Sequence, residues 1–98
     1  MELVQGTPCE DAIKQAMQMA REILSGQVAP IKGASAIANL GTADCYDYLQ
    51  EGVEVVDVMS GFTVFVDDWE LRQDSDAART EISQEIREAA LRFSEQFG

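Results

Sequence analysis

Between Thr7 and Gly26 the chain encodes a helix with both its start and its stop, and the rest of the fold has to cover that helix's apolar face. Thr7-Pro8-Cys9-Glu10 puts a capping threonine before a proline at the first helical position, with a glutamate three residues after the cap. The proline's missing N–H would be orphaned there in any case, and the Thr/Glu pair satisfies other free donors of the first turn. Cys9, Ala12, Ile13, Ala16, Met17, Ala20, Ile23 and Leu24 then recur at the spacing of one helix face. Gly26 follows, suited to the left-handed conformation that ends helices.

The same reasoning extends along the chain. Pro30 begins a short second helix to about Leu40, with Ile31, Ala34, Ile37 and Leu40 on one side. Gly33, Ala34, Ser35 and Ala36 keep it slim enough for another helix to approach closely. Gly41 reads as its stop and Thr42 as the cap of a third helix over about 43–59, with Asp44 at the positive end of the helix dipole. Cys45, Leu49, Val53, Val56 and Met59 share one face of that helix.

Two features oppose the third helix. Gly52 costs about 1 kcal/mol relative to alanine, and Val53, Val55, Val56 and Val58 are better strand formers. Val55 to Val66 therefore has a second reading, a hairpin turning at Ser60-Gly61 with Phe62, Val64 and Val66 alternating. The helical spacing from Cys45 to Met59 and the marginal stability of a lone hairpin favour helix. Gln73 to Asp76 reads as a loop, with Ser75 or Asp76 capping a last helix. Its stripe is Ile82, Ile86, Ala89, Ala90, Phe93 and Phe97, and Glu88 and Arg92 are spaced for an ion pair. The expected fold is all-α, a compact bundle of about four helices in a single domain over residues 1–98. The alternative is α+β, with a short hairpin near residues 55–66.

Charge narrows the function. Eighteen acids against seven bases give a formal net charge of −11. Nucleic-acid binding needs Lys and Arg to replace phosphate counterions, and anionic membrane surfaces repel such a chain. Basic proteins remain the electrostatically favoured partners. No run approaches the ~20 apolar residues of a membrane span. Met1-Glu2-Leu3-Val4 lacks the basic start and apolar core of a signal peptide, so a cytoplasmic protein is expected. Cys9 and Cys45 each fall on an apolar helix face, where a free thiol acts as a small hydrophobe. Sequence leaves their connectivity open, and a disulfide is the alternative.

The acids are concentrated. From Gly33 to Leu71 there are eight acidic side chains and no Lys or Arg. If residues 43–59 are helical, Asp44, Asp47, Glu51 and Glu54 share one exposed face, with Asp57 continuing the series. Such a face reads either as plain solvation or as a docking surface for a basic partner. Like charges this crowded cost folding free energy, and the missing bases favour docking. Trp69, flanked by Asp67, Asp68 and Glu70, reads as a core residue or as an interface anchor.

Other chemistry finds little support. Asp67-Asp68-Trp69-Glu70 has neither EF-hand spacing nor a turn glycine, so no metal is expected and the stretch reads as a polar loop. There is no histidine to serve as a base, no glycine-rich phosphate loop, and no activator for a cysteine nucleophile. No enzyme and no cofactor are expected. Tyr46, Tyr48, Phe62 and Phe65 could line a pocket, although aromatics in a small helical domain usually form its core.

Ile23-Leu24-Ser25-Gly26 followed by Pro30-Ile31 and Gly33-Ala34, then Phe65 to Glu70 and an amphipathic closing helix, is similar to small helical bacterial proteins of no assigned function. That resemblance implies an all-helical fold and a bacterial origin, and carries over no catalytic residue.

Two functions follow as expectations. The first is a non-enzymatic module that docks a basic protein, in the manner of immunity proteins and antitoxins against cationic nuclease toxins. Asp44, Asp47, Glu51, Glu54 and Asp57 would supply steering charge, with Tyr48 and Trp69 as anchors. The second is a self-associating structural protein or subunit, a homodimer burying the Phe62–Val66 segment.

Overall fold

The computed structural model describes residues 6–97; the Met1-Glu2-Leu3-Val4 start lies outside them. Helix α1 (Pro8–Ser25) begins and ends where its terminal signals lie, but the expected capping box does not form, since the Thr7 side chain makes no cap hydrogen bond. Glu10 Oε2 accepts a hydrogen bond from the Gly6 N–H at 3.2 Å. Gly26 closes the helix at φ 83°, and the Gln27 N–H returns to the Glu22 carbonyl at 3.0 Å. Cys9, Ala12, Ile13, Ala16, Met17, Ala20 and Ile23 are buried, whereas Leu24, expected on the same face, is 39% exposed.

Helix α2 (Pro30–Asn39) crosses α1 closely. A Cβ at Gly33 would collide with the Ile23 side chain, so the slim face is what brings the two backbones together. Gly41 does not stop this helix. The backbone continues into a π-helical turn, Leu40–Asp44, and the Thr42 hydroxyl donates to the Ala38 carbonyl at 3.0 Å instead of capping a new helix. Gly41 is needed for packing: a Cβ there would lie 2.9 Å from Met59 Cβ and 2.9 Å from the Ser60 nitrogen.

The single third helix expected over 43–59 is divided. Helix α3 (Tyr46–Gln50) stops short of Gly52, whose φ of 73° no helix interior accepts, and α4 (Glu54–Gly61) restarts after Val53. Helix α5 (Thr63–Leu71) follows with only Phe62 between. The hairpin is absent and the described residues contain no strand. Val55, Val56, Met59 and Phe62 are all buried at helical spacing, and that burial outweighs the strand preference of valine. Asp67 to Glu70, read as a polar loop, lies within α5.

Helix α6 (Asp76–Phe97) is capped by Ser75, whose Oγ accepts from the Ala78 N–H at 3.1 Å. Ile82, Ile86, Ala90 and Phe93 are buried along it. Phe93 meets Phe62 edge-to-face, with ring centroids 6.2 Å apart.

The all-α fold is thus established, with 84% of the described residues helical. The core is built by the buried faces of α1, α2, α4 and α6, while α3 and α5 bury no residue fully. No helix among the described residues is long and apolar enough to cross a membrane.

The free-thiol reading of the cysteines is corrected. Cys9, at the start of α1, and Cys45, after the π turn, form a disulfide with Cα atoms 4.8 Å apart. Both are 1% exposed. The helix faces that made them look like small hydrophobes are the faces that meet. The bond spans 36 residues, and closing a loop of that length in the unfolded chain is worth about 4 kcal/mol in the chain-entropy account. With both sulfurs paired, the described residues include no free thiol.

Candidate partner-binding surface

The acidic residues end up on several short elements instead of one helix face. Asp44 lies in the π turn, Asp47 on α3, Glu51 in the break, and Glu54 and Asp57 on α4. The break itself is well defined: the Gly52 N–H bonds the Leu49 carbonyl and the Val53 N–H bonds the Tyr48 carbonyl, both at 3.2 Å. A left-handed glycine therefore turns the chain between Glu51 and Glu54. All five side chains remain exposed, as do Asp67 and Glu70 on α5, while Asp68 is half-buried.

Some of these acids have a local structural reason. Asp47 sits in the first turn of α3, and Glu54 and Asp57 in the first turn of α4, where the helix dipole favours negative charge. Glu54 also accepts a hydrogen bond from Gln96 Nε2 at 2.6 Å, tying α4 to the end of α6. Asp67, Asp68 and Glu70 have the opposite situation. They crowd the C-terminal half of α5, where the dipole disfavours them and the last turn itself holds no base, Arg72 following as the C-cap.

Among the described residues the ion pair formed is Lys14–Glu10, at 3.4 Å on α1. None of the eight carboxylates from residues 33–71 takes part in one, and the Glu88–Arg92 pair expected on α6 does not close. No three of the described His, Cys, Asp and Glu residues are grouped as a metal site.

The two proposed anchors are both partly committed to the fold. Tyr48 and Trp69 are half-buried and pack against the core. The Arg79 guanidinium lies 4.9 Å from the centre of the Trp69 ring, a cation–π contact between α5 and α6. Arg79 Nε is buried there and has no hydrogen-bond partner.

Two concavities lie beside this surface; of the four aromatics read as possible pocket walls, Phe62 and Phe65 line the first and Tyr46 and Tyr48 line neither. One, of about 200 Å3, opens between α4, α5 and α6, with Val58, Phe62, Phe65 and Phe93 as apolar walls and Arg92 and Gln96 as its polar groups. Phe62 thus serves both the core and a pocket. The other, of about 320 Å3, lies between α1, α2 and the π turn and includes Asp44. Gln15 and Asn39 line it as well; single amides on two different helices carry no spacing that could have marked them.

No known protein family, curated protein or solved structure matches the chain.

Proposed function

We propose that this protein is a non-enzymatic binding module that docks a basic partner protein through its acidic surface, as immunity proteins and antitoxins dock cationic nuclease toxins. The observation that carries this reading is the set of seven exposed carboxylates between residues 33 and 71, with no base among those residues and no ion pair formed. Two of them, Asp67 and Glu70, stand in the C-terminal half of α5, where the helix dipole makes them costly, which a purely solvating role does not require. Their field would steer a cationic surface into contact, and the half-buried Tyr48 would anchor it. The disulfide favours an oxidising compartment over the cytoplasm expected from the sequence.

The test compares the native protein with the Asp47→Lys/Glu51→Lys/Glu54→Lys variant as bait in lysate of the producing organism, with low-salt and high-salt washes and mass spectrometry. A basic protein held by the native bait at low salt, released at high salt and lost from the folded variant supports docking. Equal retention by both baits sinks it.

A second reading, self-association, is favoured by Val64 and Leu71, which are 60% and 83% exposed on α5. Each copy carries a charge of −11, so a dimer would strengthen as salt screens that repulsion, whereas a complex with a cation would weaken. Sedimentation velocity across a salt series separates the two.

A further inference from the structure

The cavity between α1, α2 and the π turn has the makeup of a cation site with a long apolar stem. Met19, Ala36, Leu40 and Ala43 form apolar walls, and Asp44 is the one charged residue lining it. Leu40, Ala43 and Asp44 all belong to the π turn and share one wall. Among the described residues the Asp44 carboxylate and the Gln15 and Asn39 side-chain amides enter no hydrogen bond or ion pair. Three uncommitted polar groups thus border an apolar space of about 320 Å3.

We propose that this cavity receives a lysine side chain of the basic partner, an inference that rests on the docking function above. An ammonium offers three donors and no acceptor. The Asp44 carboxylate and the amide oxygens of Gln15 and Asn39 supply matching acceptors. The four-carbon stem lies along Met19, Leu40 and the two alanines, as lysine stems do on apolar surfaces. Charge complementarity selects this occupant over a carboxylate, because the only formal charge on the wall is negative and the whole chain is strongly acidic. A second copy is a poor source of the lysine, since it brings eighteen acids with its seven bases. The groove between α4, α5 and α6 is the natural control: it is also apolar, but its one charged lining residue is Arg92.

The test needs no partner. Nα-acetyl-lysine N-methylamide is titrated into the oxidised protein and followed by NMR, with its Nε-acetylated analogue run at the same ionic strength. The expected result is saturable shifts of the Ala36 and Ala43 methyls and of the Gln15 and Asn39 side-chain NH2 groups, with none at Phe65 or Ala89 in the control groove. Asp44→Asn keeps the shape and removes the charge, and is expected to weaken binding about tenfold. Ala36→Leu fills the cavity and is expected to abolish the shifts while circular dichroism stays helical. A flat titration, an equal response to the acetylated analogue, or unchanged affinity in Asp44→Asn overturns the proposal. Such a failure leaves partner docking intact, because the capture experiment depends on Asp47, Glu51 and Glu54. Loss of capture alone would sink docking without touching the titration.

Discussion

Helices α1 and α5 carry comparable shares of apolar side chains and bury them to opposite extents. In α1 the apolar residues keep to one stripe, and seven of them are buried. In α5, Val64, Phe65, Val66, Trp69 and Leu71 are spread around the helix, and none is fully buried. Val64 and Leu71 lie two turns apart on one side, while Phe65 and Trp69 lie one turn apart on another. A helix that packs against the core along one side cannot cover both sets. Apolar content therefore does not decide burial here; angular arrangement does. The outward set on α5 is interleaved with Asp67 and Asp68, which keeps that surface wetted.

Mutations should magnify this contrast. Phe93→Ala, in the core where α6 meets Phe62, should cost about 3–5 kcal/mol in urea unfolding, because it opens a cavity beside that ring. A loss under 1 kcal/mol would mean that the core is looser than its burial implies. Reducing the Cys9–Cys45 bond, or replacing both cysteines with serine, should lower stability by about 2–5 kcal/mol while the chain stays helical. Identical unfolding curves with and without reductant would remove the cross-link from the account of the α1 side. Gly41→Ala should cost about 1–3 kcal/mol by forcing the π turn away from Met59 and the Ser60 backbone.

On the α5 side the effects shrink. Arg79→Ala should cost about 0.5–1 kcal/mol and change the emission of Trp69, the only tryptophan in the chain, by uncovering its ring. An unchanged spectrum would mean that the cation does not sit on the ring in solution. Leu71→Ser should stay within about 0.5 kcal/mol. A large loss there would show that α5 is covered, in a dimer or otherwise, and would reverse the contrast.

The two helices also differ in how legible they were. The extent of α1 follows from local chemistry at its ends, a proline, a first-turn glutamate and a glycine, and from a stripe with an unambiguous period. Helix α6 shares those traits through Ser75 and its Ile82-to-Phe93 stripe. Helix α5 has no such stripe and no strong cap, so Val64 and Val66 also fitted a hairpin, and Asp67 to Glu70 read as a polar loop. At Gly41 a helix-stop signal was overridden by packing, because the missing Cβ was needed against Met59. At Gly52 the opposite happened: the residue was counted as a small penalty inside a helix and is in fact the break. The acidic residues of the candidate surface were visible as a base-free run, but the single helix face expected for them does not exist, because the break at Gly52 distributes them over the π turn, α3 and α4.

What the sequence determined by itself is local: the helical class, the limits of α1, the capped start of α6, the stripes that face the core, and the one-sided charge. Each follows from interactions within a few residues, where backbone donors, dipoles and side-chain period act without reference to the rest of the chain. What only the tertiary structure decided is which distant groups meet. It joined Cys9 to Cys45, laid Arg79 over Trp69, linked Gln96 to Glu54, and gathered Gln15, Asn39 and Asp44 around one cavity. Those pairings depend on how the helices cross and on where Gly33, Gly41 and Gly52 allow close approach or reversal, which no short-range pattern encodes.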